Sequence, residues 1–118
     1  MTIRNAVASV AVKDLKAVRP WYERLLGRAP DSTPMPTVAE WKFDGGGWLQ
    51  VYEVPERAGS GSVTLSVSRL EEQLAQLESL GIDTGMRTTS DKVKTVMITD
   101  PDGNHLAFAE AIDQTIAR

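Results

Sequence analysis

Side chains able to do chemistry are sparse in this chain of 118 residues, which has one histidine, His105, and no cysteine. A lone imidazole works as a general base only with a nucleophile beside it, and Ser9, Ser62 and Ser66 are the hydroxyls that folding could bring there. His105 is on these grounds a weak catalytic candidate. It directly follows a turn, where a histidine is more often a solvent-edge residue than a base. Glu40 and Glu53 are candidate cup-side or rim carboxylates, although acidic residues near strand ends are usually just solvated. Gly45-Gly46-Gly47 lacks the lysine and helix start of a phosphate loop and reads as a hairpin turn. Trp48, Gln50 and Tyr52 carry more signal, because spacing by two puts all three on one face of a strand. A Trp and Tyr pair offers flat apolar contact with two hydrogen-bonding tips, suited to stacking on a planar ligand that Gln50 would orient. Filling a dimer interface or an undersized cavity is the competing role for the same rings.

Strands must position these residues, and their alternation divides the side chains into two sets. Val10, Val12, Leu49, Val51, Val63, Leu65, Val67, Val96, Ile98, Leu106 and Phe108 form an aliphatic and aromatic set that should pack beneath helices. The other set holds Val7, Ser9, Ala11, Trp48, Gln50, Tyr52, Ser62, Thr64, Ser66, Thr95, Met97, His105, Ala107 and Ala109. Aromatic, hydroxyl and small side chains mixed in this way suit the wall of a binding pocket. Within the second set, Val7, Ser9, Trp48, Gln50, Tyr52, Ser62, Thr64, Met97, His105 and Ala107 are the expected ligand-binding residues.

The pattern runs through the chain twice. Val12-Lys13-Asp14-Leu15 lines up with Val67-Ser68-Arg69-Leu70, and Leu49-Gln50-Val51 with Leu106-Ala107-Phe108, each pair close to the same place in a strand, helix, strands order. The first helix is expected from about residue 17 to 26, with Pro20 in its first turn, where N–H groups lack partners anyway. Ser68 and Glu71 suggest a capping box for the second helix, whose apolar face is Leu70, Leu74, Leu77 and Leu80, with Gly81 as its stop. Residues 28–37, with three prolines, read as a long loop. Near the C-terminus Asp100-Pro101-Asp102-Gly103-Asn104 forces a tight turn between strands at residues 93–99 and from 106 onward, a β-hairpin.

Composition bounds the answer from outside. A chain of 118 residues suits one compact domain, and 42% hydrophobic with 25% charged residues is an ordinary globular balance. A net charge of −3 with dispersed basic residues argues against nucleic acid or an anionic membrane as partner. The absence of cysteine excludes disulfides and thiolate metal sites. The N-terminus lacks the apolar core of a signal peptide and no segment approaches a membrane span, so a cytoplasmic location is expected.

The Asp100 to Asn104 turn, the helix end Trp21-Tyr22-Glu23-Arg24-Leu25-Leu26-Gly27 and the repeat together resemble the vicinal oxygen chelate superfamily, which includes glyoxalase I, fosfomycin-resistance, bleomycin-resistance and extradiol dioxygenase proteins. The resemblance runs from Ile3 to about Glu110. It implies an α+β fold in which two βαβββ modules form a curved, cup-shaped mixed sheet with helices on the convex face. It also makes Trp21 and Tyr22 packing residues. The expected organisation is one domain: module one over about 3–54, a connection over 55–61, module two over 62–110 and a C-terminal tail over 111–118.

In the metalloenzymes of that superfamily a divalent ion is held from the first and last strands of each module, at positions that fall here on Val7, Gln50, Ser62 and Ala107. Val and Ala offer no donor, Ser is a poor neutral ligand, and Gln50 alone cannot hold an ion. A redistributed set of His105, Gln50 and Glu110 fails because Glu110 should face away from His105. No metal and no cofactor are therefore expected. The leading functional expectation is a metal-free, bleomycin-resistance-like protein binding a small aromatic or amphipathic molecule in the cup, for sequestration, carriage or resistance. The alternatives are a divergent lyase or isomerase of the same superfamily, or a structural dimer whose cup is filled by its own side chains. The expected partners are a small-molecule ligand and a second copy in a homodimer, with no nucleic acid and no membrane.

Overall fold

Burial follows the line the alternation draws for the large apolar side chains, while Ala11 and Ala109 of the second set are buried too. Val10, Val12, Leu49, Val51, Val63, Val96, Ile98, Leu106 and Phe108 are all buried, while Leu65 and Val67 are half-buried. The computed structural model describes residues 2–112; the last part of the expected C-terminal tail, 113–118, lies outside the described residues. The order is β1 (Val7–Val12), α1 (Leu15–Leu26), β2 (Ser32–Met35), β3 (Val38–Lys42), β4 (Trp48–Glu53), a 3-10 turn at Pro55–Arg57, β5 (Ser62–Ser66), α2 (Leu70–Ser79), β6 (Met86–Thr89), β7 (Val93–Thr99) and β8 (His105–Ala111). This is βαβββ twice over. Each module closes its own four-stranded mixed sheet, ordered β1-β4-β3-β2 and β5-β8-β7-β6. In each, the first and last strands pair in parallel and the remaining pairs are antiparallel.

The chain forms two compact units. The first gathers the residues up to Gly61 together with Pro101–Asn104, and the second gathers Ser62–Asp100 and the residues from His105 onward. In the first unit α1 buries Leu15, Val18, Tyr22 and Leu25 along one stripe. Trp41, fully buried on β3, donates its indole N–H to the Arg28 carbonyl at 3.1 Å, which satisfies the one polar atom of a large apolar ring. In the second unit α2 buries Leu70 and Leu77.

Three local expectations are corrected. The first helix begins at Leu15, two residues early, because Asp14 accepts from the Lys16 N–H at 3.1 Å and Glu53 accepts from the Leu15 N–H at 2.9 Å. Pro20 therefore lies beyond the first turn and removes one intrahelical bond. The Ser68 and Glu71 capping box does not form. Arg69 holds the N-cap position without a side-chain bond, and the Leu70 N–H is taken at 2.7 Å by the carboxylate of Glu110, reaching over from β8. A neighbouring strand thus supplies the acceptor that the local chain would otherwise provide. The proline-rich 28–37 segment holds β2, which is tolerated with Pro34 inside because it is an edge strand.

The Asp100 to Asn104 turn is bonded as well as bent. Asn104, fully buried, donates to the Ala11 carbonyl and accepts from the Gly61 N–H, both at 2.8 Å, and Asp102 accepts from the Lys13 N–H at 3.1 Å. Gly59 passes so close to this turn that a Cβ there would meet the Asp102 carbonyl oxygen at 2.2 Å, and its φ of 88° already favours glycine.

Two substitutions test these ties by urea denaturation. Asn104→Ala strands a buried N–H and a buried C=O and is expected to cost roughly 2–4 kcal/mol. Glu110→Gln keeps the shape but weakens the charge-assisted bond to the start of α2, with an expected cost of about 0.5–1 kcal/mol.

Candidate functional site

The carboxylates of Glu53 and Glu110 face the helices together with Leu49, Val51, Leu106 and Phe108. Strand alternation then turns Trp48, Gln50 and Tyr52 to the opposite face of the first sheet. There the register sets Ser9 and Glu40 on either side of Gln50. A hydrogen-bonded row joins the three strands: the Ser9 hydroxyl donates to Gln50 Oε1 at 3.1 Å, and Gln50 Nε2 donates to Glu40 Oε2 at 2.9 Å. Because an ionised carboxylate only accepts, the amide nitrogen must face Glu40, which fixes the orientation of the amide. Val7 pairs with Trp48 and is exposed, and Lys42 sets its ammonium 5.9 Å from the centre of the Trp48 ring, a cation–π distance. Trp48, Gln50 and Tyr52 are all half-buried, so each retains surface for a further partner.

Strand β3, which brings Glu40 to this row, is clamped at its outer end. The Glu40 carbonyl accepts from the Asp31 N–H at 2.8 Å. Asp31 Oδ2 accepts from the Lys42 N–H at 2.7 Å and from Arg28 Nη1 at 2.5 Å, and Arg28 also donates to the Lys42 carbonyl. The Lys42 N–H, and after it the Arg28 guanidinium, hold the Asp31 carboxyl below the ordinary aspartate value.

In the second unit the face turned away from α2 collects the rest of the expected residues. Ser62 is paired with His105, and Thr64 with Ala107, which also pairs with Met97 across the other edge of β8. His105, Ser62 and Thr64 are exposed, and Met97 and Ala107 are half-buried. At the repeat positions of Ser9, Gln50 and Glu40 stand Thr64, Ala107 and Met97, so no corresponding polar row can form. Glu110 is committed to the start of α2 and to Lys94 Nζ at 3.9 Å, as its strand parity requires.

The four positions at which the superfamily resemblance places metal ligands do not suit a divalent ion. Val7 and Ala107 carry no donor, and Gln50 is engaged on both sides by Ser9 and Glu40. Among the described residues no group of three or more His, Asp or Glu is placed to hold an ion. No described helix is long and apolar enough to cross a membrane.

The two rim-carboxylate candidates part company. Glu40 joins the Gln50 row through a register opposite Gln50 that only pairing reveals. Glu53 instead turns to the helix side and bonds the start of α1. Two grooves, of about 380 and 290 Å³, were also unforeseen. They run between α1 and the β2–β3 link, share Leu15, Arg19 and Pro36, and include none of the ten expected binding residues.

Comparison with known proteins gives a consistent family. A family described as Glyoxalase-like domain matches residues 7–109. A glyoxalase/bleomycin resistance protein from Catenulispora acidiphila is similar in structure, with TM-score 0.82 and 36% identity over 92% of this chain and 98% of that one. An antibiotic-binding protein from a Streptomyces species shares the fold at TM-score 0.77 and 20% identity, covering 94% of this chain and 98% of that one. A lactoylglutathione lyase from Agrobacterium tumefaciens shares it at TM-score 0.73 and 16% identity, covering 93% and 94%. No curated protein matches the chain significantly.

The Asp31 clamp carries a pH dependence of known sign. A lowered folded pKa means that its stabilisation is fully present above the ordinary value of 3.8 and is lost as pH falls through the lower folded value. Asp31→Asn is therefore expected to lower the melting temperature at neutral pH, with the gap to wild type closing in acid below 3.8. Melting curves of both proteins from neutral to strongly acidic pH measure this, and a gap independent of pH would rule out an electrostatic clamp.

Proposed function

The chain belongs to the glyoxalase-like domain family, and from that premise we propose that it is a metal-independent protein that binds a small aromatic or amphipathic molecule. The ligand lies against the first sheet on the face turned away from α1, stacking on Trp48 and Tyr52 while Gln50 orients it. The observation that carries this reading is the Ser9–Gln50–Glu40 row between two half-buried aromatic rings, a preset polar group in an apolar surround. Such rows hold orientation because both ends of the amide are already engaged. The antibiotic-binding relative from Streptomyces, which shares the fold, makes sequestration, carriage or resistance the fitting role.

The donor chemistry of Val7, Gln50, Ser62 and Ala107 supports metal independence. A cytoplasmic homodimer is the assembly we propose. Its support is that edge strands β2 and β6 each leave a methionine exposed, Met35 at 55% and Met86 at 62%, and unpaired edges with apolar side chains favour association.

Tryptophan fluorescence tests the binding directly, because of the three tryptophans Trp48 is half-buried on the proposed surface, Trp41 is buried and Trp21 lies on α1. Titration with a panel of planar and amphipathic compounds should change emission saturably, and Trp48→Phe should abolish most of that change. Silence across the panel would overturn the proposal. Stoichiometric Ni, Zn, Mn or Fe in freshly purified protein would overturn metal independence. Light scattering should give twice the chain mass, and a monomer at all concentrations would remove the dimer.

A further inference from the structure

From the hydrogen-bonding inventory of the Ser9–Gln50–Glu40 row we infer that Glu40 determines specificity, selecting ligands that carry a protonated amine beside their aromatic or apolar part. The inference rests on the binding reading above and adds to it the charge of the ligand.

The row has more acceptors than donors. Ser9 spends its one hydroxyl proton on Gln50, and Gln50 spends one of its two amide protons on Glu40. Glu40 Oε2 takes that single bond from Gln50, whereas a carboxylate offers about four lone-pair sites in all. What remains to be satisfied by an incoming molecule is therefore mostly acceptor capacity, and the strongest acceptor is charged. A ligand presenting N–H donors with a positive charge meets that requirement, and a ligand carboxylate is repelled by it.

The rings beside the row point the same way. The face of an indole attracts cations, and the chain's own Lys42 already sits at cation–π distance from Trp48. Lys42 is the charged group closest to Glu40 along β3 on this face, since it shares strand parity two residues away. It is exposed, and so can yield the ring to a ligand ammonium. Glu53, the other carboxylate carried by strands β1 to β4, is turned to the helix side and bonds the start of α1, so it does not contribute to this face. Glu40 is thus the anionic centre in a surround of Trp48, Gln50, Tyr52 and Ser9.

Three matched probes test this: naphthylethylamine, naphthylethanol and naphthylacetate, which share a ring system and differ in the polar end. Calorimetric titration of the wild-type protein should rank them amine, alcohol, carboxylate, with the amine preferred over the carboxylate by about tenfold or more. Glu40→Gln should bring the amine and the carboxylate within about threefold of each other, the amine weakening and the carboxylate tightening. Equal affinity of the wild-type protein for amine and carboxylate would overturn the role of Glu40 and leave the binding reading intact. Persistence of the full amine preference in Glu40→Gln would do the same. Binding of none of the three, together with a silent fluorescence panel, would overturn the binding reading and this inference with it. Equal wild-type affinities overturn the role of Glu40 whether or not the variant folds, and Glu40→Ala, expected to lose the amine preference likewise, replaces Glu40→Gln should that variant fail to fold.

Discussion

Everything on the candidate face depends on a bond made at its back. In each module a glutamate near the end of the last strand turns to the helix side and accepts the first N–H of the helix, Glu53 at Leu15 and Glu110 at Leu70. The exposed amides at a helix start carry partial positive charge, so a carboxylate is the favoured partner. That choice has a consequence along the strand. A residue of fixed orientation fixes every alternate residue, and a slip by one would expose Leu49 and Val51 while pulling Trp48 and Gln50 into the core. The anchor and the apolar set enforce the same parity, so the face that meets a ligand is decided by the face that meets the helix.

The two modules use this scaffold differently. Equivalent strands and equivalent carboxylate anchors carry Ser9, Gln50 and Glu40 in the first module and Thr64, Ala107 and Met97 in the second. One face is polar and acceptor-rich at its centre, the other small and apolar. Duplication preserved what the fold needs, helix starts and core faces, and left the outward positions free to diverge. The same freedom extends to the positions at which the superfamily resemblance places ligands: Val7 or Ala107 there costs the sheet nothing, because strand pairing uses the backbone.

Much of the architecture was legible in advance because it rests on local rules. The hairpin at Asp100 to Asn104, the two helices, the core set and the β7 boundaries at Val93 and Thr99 follow from turn chemistry and periodicity. What escaped was non-local. The start of α1 at Leu15 and the failure of Ser68 to cap α2 both depend on acceptors more than 35 residues away in sequence. β2 was hidden behind its prolines, because edge placement, which excuses Pro34, is a property of the sheet and not of the segment.

The candidate site divides along the same line. From residue types and spacing came the strand, helix, strands repeat and the shared face of Trp48, Gln50 and Tyr52, while the glyoxalase-like architecture and the four positions poor in metal donors came from the family resemblance that those motifs carry. The shared face is a statement about a single strand, where a period of two settles orientation. Only the tertiary structure decided that Ser9 and Glu40 flank Gln50, because cross-strand register couples residues that no local rule connects. Glu40 thereby went from one of two rim-carboxylate candidates to the anionic end of a hydrogen-bonded row. A carboxylate's role is set by what it faces, and that is known only once the strands are paired.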